Sequence, residues 1–321
     1  MHELVLAGTP FSVQINFLSP LINGIANGAA YGLLGLGLVL LYKSNRIFNF
    51  AQGEFATVAA IVAYMFDHGT GSLPKLPYFV AILLGIIAAM LTAMATERLV
   101  IRPLFNRPRV VLVVATIGVA LFLIGVEGLL PYPQTASLRT ISDVLNVQSY
   151  VFRVDNVVVL DQDLAKFLAL VLLAIAAFLF FRYTPMGTAI LAVSQDATAA
   201  RVVGISVERV SMTTWAIAGL LGGVAGVLLA VPPSGSVTPG SLTGLTLTVA
   251  FSAAVLGGMT SLPGAFVGGL AIGLIEAFAN ADHSFVPGLN SLPTAQAEVA
   301  VAVVLLVILL VRPRGLLGQE A

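Results

Sequence analysis

Apolar residues fall in nine runs separated by short polar connections: Phe17 to Tyr42, Glu54 to Phe66, Tyr78 to Ile101, Val110 to Leu130, Leu164 to Phe181, Val210 to Val231, Leu245 to Met259, Ala265 to Ala279 and Ala295 to Val311. Runs of this length and continuity predict transmembrane helices rather than the one-sided stripes of a soluble helix. Three are short. At about 1.5 Å per residue, Glu54 to Phe66, Leu245 to Met259 and Ala265 to Ala279 fall short of a hydrocarbon core of roughly 30 Å, which predicts broken or re-entrant helices. The expected fold class is an all-α polytopic integral membrane protein with about 8 to 9 transmembrane helices.

The polar connections set sidedness, because Lys and Arg concentrate in cytoplasmic loops near span ends. Lys43, Arg46, Arg98, Arg102, Arg107, Arg109, Arg182, Arg201, Arg209, Arg312 and Arg314 fall in alternate connections, and only Lys75, Arg139, Arg153 and Lys166 fall in the others. That bias predicts the N-terminus outside and the C-terminus in the cytoplasm. The chain reads as one membrane domain over residues 1–321. It carries a cytoplasmic loop at 182–209 and an extracytoplasmic loop at 131–163. In the latter, the alternating segment Tyr150 to Leu160 predicts a small hairpin or strand.

Composition narrows the class further. Hydrophobic residues make up 58% of the 321 and charged residues 9%, against about 25% charged in an ordinary soluble domain. Little chain remains for a soluble activity. The zero net charge gives no electrostatic case for nucleic acid, and the absence of cysteine excludes disulfide and thiolate chemistry. His2 and Glu3 begin the chain without a basic region, so no cleaved signal peptide is expected. No phosphate loop, His-Glu-x-x-His or nucleophile elbow occurs, and His2, His68 and His283 lie at the terminus or in outer connections. ATP hydrolysis and covalent catalysis are not expected of this chain.

Four features carry candidate chemistry. The run Ser194 to Gly204 predicts a two-turn helix: Ser194 as its cap, Asp196 in its first turn and Gly204 stopping it in a left-handed conformation. Asn45 to Glu54 interleaves Asn49, Gln52 and Glu54 with Phe48, Phe50 and Phe55, which suits either a partly buried gate at membrane depth or a loop dipping into the headgroups. Val255 to Phe266 reads as a tight apolar turn, with Pro263-Gly264 opening a second short helix. Glycines repeat every four residues at Gly24, Gly28 and Gly32, and in pairs at Gly219/Gly223, Gly222/Gly226, Gly264/Gly268 and Gly269/Gly273. These read as close helix packing, with pore lining the alternative. On the predicted topology Glu54 and Glu97 sit near the inner boundary, while Glu127, Glu276 and Glu298 sit near the outer one. No ionisable group is placed at the midplane, which counts against a coupled carrier. Glu127 and Glu276 either line an outer vestibule or are simply interfacial.

Several runs together resemble the membrane permeases of branched-chain amino acid ABC importers, of the LivH type. They are Gly28-Ala29-Ala30-Tyr31-Gly32, Phe48 to Glu54, Glu97-Arg98 with Arg102-Pro103, Arg182 to Gly187, Asp196 to Ile205, Ala254 to Gly258 with Pro263-Gly264-Ala265, and Arg312 to Gly318. The resemblance implies a type II-like importer permease bundle in the bacterial inner membrane, moving leucine, isoleucine and valine by alternating access. Urea, short amides or another small polar solute, or an ATP-independent carrier or channel, are the alternatives. It implies a LivM-like second permease subunit, two cytoplasmic ABC ATPases and an extracytoplasmic amino-acid-binding protein as partners, besides membrane lipid. ATP and Mg would sit on the ATPases, with no cofactor or metal on this chain. Ala199-Ala200 followed by Gly204 is similar to the coupling signature of such permeases, with Thr198 where many have Glu, so Asp196, Ala199, Ala200, Arg201 and Gly204 are the expected ATPase contacts. Asn49, Gln52, Glu54, Gly257 and Gly258 are the expected translocation or gate residues.

Overall fold

A computed structural model describes residues 10–133, 135–146, 150–154, 157–231, 235–280, 297–312 and 315–317. The sequence expectations for His2, Glu3, His283, Pro313, Arg314 and Gly318 lie outside the described residues, as do the side chains of Arg153 and Glu298. The elements in chain order are α1 (Pro10–Asn45), α2 (Gln52–His68), α3 (Tyr78–Thr96), α4 (Arg109–Glu127), α5 (Ile141–Leu145), β1 (Tyr150–Val154), β2 (Val157–Leu160), α6 (Asp161–Tyr183), α7 (Pro185–Gln195), α8 (Ala197–Val202), α9 (Val207–Leu229), α10 (Leu245–Gly257), α11 (Leu262–Ala279) and α12 (Ala297–Val311). Among the described residues, six helices are long and apolar enough to cross a membrane: α1, α3, α4, α6, α9 and α11. The expected polytopic helical class is borne out, and α10 and α12 are shorter apolar helices beside those six. The expected hairpin is present as β1 paired antiparallel with β2.

Caps explain the breaks. Thr184 Oγ1 accepts from Gly187 N–H and starts α7 behind Pro185. Ser206 caps α9 on Arg209 N–H, and Ser261 caps α11 on Gly264 N–H with Pro263 in the first turn. Gly69 ends α2 in the left-handed region. The α3 helix runs on through a π-helical turn, Glu97–Ile101, and a 3₁₀ turn, Arg102–Leu104.

Glycine faces bring the central helices together. A Cβ at Gly28 would stand 2.7 Å from the Gly269 carbonyl oxygen and 2.9 Å from Leu270 Cα, and one at Gly273 would collide with Gly28. Gly24, Gly28 and Gly32 of α1 and Gly269 and Gly273 of α11 therefore form one backbone-to-backbone seam. Gly219 and Gly223 do the same against Ala89 and Ala93 of α3, and Gly226 against Ala56 of α2. The packing reading of these repeats holds. Outside this centre, Leu83, Leu91, Leu121, Phe122, Leu172 and Phe178 point outward. In water such surfaces would aggregate, but in a bilayer they face lipid.

Candidate functional site

The run expected to be one helix is two. Residues 185–195 form α7, and Asp196 breaks the chain with φ −151° and ψ 105° before α8 begins. Asp196, not Ser194, is the cap: its Oδ1 accepts from Thr198 N–H at 2.7 Å and Ala199 N–H at 3.0 Å. The Ser194 hydroxyl is turned back within α7 and donates to the Leu191 carbonyl. A carboxylate reaches two orphan N–H groups in the first turn and favours the positive end of the helix dipole, so it takes the cap position from the hydroxyl. The expected left-handed stop is present, with Gly204 at φ +87°. Gly204 N–H donates to Arg201 C=O and Ile205 N–H to Ala200 C=O, the paired bonds of a Schellman ending.

The α8 helix has two faces. Ala200 is buried in a cluster with Leu40, Ile190, Val193, Val207 and Val210, so it seats the helix on the bundle rather than offering itself to a partner. Asp196, Ala199, Arg201 and Gly204 are exposed. So are two residues that sequence reasoning passed over, Val202 at 84% and Val203 at 75%. Two adjacent β-branched apolar residues in a polar island were the available signal. Arg201 reaches Glu208 at 3.4 Å. The Glu208 carbonyl accepts from Arg102, which also forms a 2.8 Å ion pair with the fully buried Glu97. Polar contacts thus tie α8 to the end of α3.

The segment between α1 and α2 is non-helical, with Ile47, Asn49 and Ala51 buried and Phe50 exposed. Asn49 Oδ1 accepts from Ala51 N–H, and Asn49 Nδ2 donates to Gln52 Oε1 at 3.2 Å. Gln52 Nε2 donates to the Ala218 carbonyl at 2.8 Å, wedged where Gly37 and Gly222 leave room. Phe50 N–H donates to Thr116 Oγ1, and Phe48 stacks on Tyr42. Every polar group of this segment named here finds protein, as non-helical backbone at membrane depth requires. Ala218 lies about 16 Å along α9 from Val207 at roughly 1.5 Å per residue, so α2 starts deep inside the bundle.

That depth corrects an expectation. Glu54, assigned to the boundary opposite Glu127, instead has its carboxyl against that of Glu127. On sequence, Asn45 to Glu54 suits either a partly buried gate or a loop dipping into the headgroups, with Glu54 near the inner boundary. The segment actually carries the first turn of α2 well into the bundle, to the last turn of α4. Glu54 and Glu127 are buried to 0% and 1% exposure. Gly240 N–H reaches Glu127 Oε2 at 3.3 Å. The neighbouring Tyr132 hydroxyl is pushed up to about 12 by burial and then by Glu127 and Glu54.

Gly257 and Gly258 are not part of this constellation. They make the α10 to α11 turn, where Gly258 has φ +102° and a Cβ at Gly257 would collide with Gly264. The C-terminal tail closes over them: Leu316 N–H donates to Leu256 C=O and Leu317 N–H to Gly257 C=O. No group of three or more potential metal ligands occurs among the described residues.

In the hairpin-bearing connection, Arg139 forms a bidentate ion pair with the buried Asp67, which raises its basicity further. Thr140 and Asp143 form a capping box on α5, and the Thr140 contacts hold the Asp143 carboxyl below its ordinary value.

A family model described as the branched-chain amino acid transport system / permease component matches residues 21–312. The high-affinity branched-chain amino acid transport system permease protein LivH of Salmonella typhimurium is 30% identical over 311 residues, covering 94% of this chain and 96% of its own. BraD, the corresponding permease protein of Pseudomonas aeruginosa, is 29% identical, covering 95% and 96%. A probable branched-chain amino acid transport permease protein LivH of Methanocaldococcus jannaschii is 29% identical, covering 90% and 88%. No solved structure matches the chain.

Proposed function

The chain belongs to the permease-component family of branched-chain amino acid transport systems, and from that premise we propose that it is the translocating subunit of an ATP-driven importer for leucine, isoleucine and valine. It is a multi-pass membrane protein, and its family is one of transport subunits. The positive-inside bias supports an orientation with α8 and the C-terminus in the cytoplasm and the β1–β2 connection outside. A second LivM-like permease, two ABC ATPases and an extracytoplasmic binding protein complete the proposed assembly. Nucleotide and Mg belong to the ATPases, and catalysis is assigned to no residue of this chain.

The observation that carries the coupling assignment is the two-sided α8. A helix locked at both ends by Asp196 and Gly204, seated by Ala200, and presenting Ala199, Arg201, Val202 and Val203 outward has the form of a rigid apolar peg. Movement of an ATPase groove holding that peg would reach α9 and α3 through the Arg201, Glu208, Arg102 and Glu97 contacts. A switch between inward-open and outward-open packing is the mechanical consequence. Asn49, Gln52 and Glu54 are proposed to form the moving gate, because they hold non-helical backbone at depth between α1, α4 and α9. Gly257 and Gly258 serve it indirectly, as the hinge clamped by the tail.

The test is uptake of labelled leucine into proteoliposomes holding the permease pair, both ATPases and the binding protein. Uptake is expected only with ATP, and to drop at least tenfold in the Val202→Asp/Val203→Asp variant while the permease still inserts. ATP-independent uptake under an ion gradient would establish a secondary carrier instead.

A further inference from the structure

Five buried polar atoms without a hydrogen-bond partner among the described residues lie on four side chains that are neighbours in space: Glu54 Oε1 and Oε2, Glu127 Oε1, Tyr132 OH and Thr243 Oγ1. The side chains come from four parts of the chain: the first turn of α2, the last turn of α4, the loop after α4, and the loop before α10. Their convergence therefore owes nothing to local sequence. Glu54 is fully buried and directed at Glu127 and Thr243. Gly53 is packed so closely on Leu242 and Thr243 that the two loops cannot separate without moving α2.

Among the described residues no cation pairs with either carboxyl. The ion pairs elsewhere in the described residues use Asp67, Glu97 and Glu208, and the basic partners Arg139, His68, Arg102 and Arg201 are all engaged there. Buried polar groups ordinarily find partners, and the three carboxyl oxygens left without one mark a place where something else supplies donors. A cavity of about 290 Å³ adjoins it, lined by Glu127, Leu130, Tyr132, Thr135 and Thr238. On its other side Thr243 also lines a second cavity of about 190 Å³ with Asn49, Phe50, Thr248 and Phe251. The cluster lies between these two spaces.

We propose that Glu54, Glu127, Thr243 and Tyr132 form a binding site for a primary ammonium group, placed where cargo passes from the first cavity toward the Asn49 segment. An ammonium carries three N–H donors on a compact cation. Two carboxyl oxygens and a hydroxyl from three different elements can accept them, and charge-assisted bonds of this kind are the strong ones. The aliphatic part of such a ligand would meet Leu130 in the first cavity and Phe50 and Phe251 in the second. This deepens the proposed function and rests on it for the identity of the cargo, whose α-amino group is the ammonium. The recognition itself does not depend on ATP.

The test uses the detergent-purified importer complex without nucleotide. The probe is 3-methylbutylammonium, with tetramethylammonium and sodium chloride at equal ionic strength as controls. Only the primary amine is expected to raise the thermal unfolding temperature, saturably. The half-saturating concentration should rise at least tenfold in Glu54→Gln and in Glu127→Gln. It should rise less, but measurably, in Tyr132→Phe and Thr243→Val, which lose a hydroxyl without losing bulk. Equal shifts with tetramethylammonium or sodium, or variants that respond like the unaltered protein, overturn the proposal. ATP-dependent leucine uptake by the unaltered complex, run in parallel, separates failure of this site from failure of the transport reading.

Discussion

Replacing Gly204 isolates the role of the α8 stop, because its backbone is demanding while its surroundings are empty. Gly204 has φ +87°, and no heavy atom lies within 4 Å of a Cβ built there. Any cost in the isolated permease is therefore conformational. A β-branched residue in the left-handed region costs about 1–2 kcal/mol, whereas Asn visits that region routinely. The bonds at stake are Gly204 N–H to Arg201 C=O and Ile205 N–H to Ala200 C=O, both 3.0 Å. If opening of this turn exposes both amides, Gly204→Val should speed their hydrogen exchange by about 5- to 30-fold, the factor corresponding to one or two kcal/mol. Gly204→Asn should change it little. ATP-dependent leucine uptake should follow the same order, reduced in the Val variant and close to unaltered in Asn. Gly204→Val with normal amide protection would refute the capping argument. Normal protection loss with undiminished uptake would refute α8 as the coupling element.

Other outcomes follow from the packing and the charges. Gly28→Val should overpack the α1–α11 seam by about 1–3 kcal/mol and lower the unfolding temperature in detergent; an unchanged temperature would mean the seam is not close-packed. Glu97→Gln removes the buried partner of Arg102. Because Arg102 is partly exposed at 22%, a loss of about 1–3 kcal/mol is expected, below the 3–5 kcal/mol of a fully buried pair, and equal thermal stability would contradict it. Asp143 has its carboxyl held below the ordinary value by Thr140. Its contribution is therefore complete above the unfolded-state value and lost as pH falls through the folded one. Pepsin should begin to cut residues 141–145 only as the pH drops below about 4, the ordinary aspartate value. Asp143→Asn should be cut at pH 5 already, and identical cleavage profiles would count against the capping box.

The membrane class, the apolar helices and the glycine seams could be read directly, because lipid imposes long apolar runs and small residues at close helix contacts whatever the detailed fold. Gly204 was legible for a similarly local reason: a short run of helix formers followed by Gly predicts a left-handed stop. The cap was misassigned, since Ser194 and Asp196 both qualify by type and only the path of the chain out of α7 selects between them. Ala200 was legible as small but not as inward-facing, and Val202 and Val203 gained meaning only when the opposite face of α8 was found buried.

The largest difference concerns depth. By itself the sequence determined that Asn49, Gln52 and Glu54 interrupt two apolar runs, and that Glu127 ends another, because residue type and spacing are properties of the chain. Where the interruption lies relative to the other helices is not. The tertiary structure decided it through contacts far apart in sequence, Gln52 with Ala218 and Phe50 with Thr116, which draw the segment into the bundle. Two carboxyls expected at opposite boundaries therefore share one buried cluster with Thr243 and Tyr132. Long-range packing sets such meetings, since the helices must satisfy one another's backbones and side chains before any position along the chain acquires a depth.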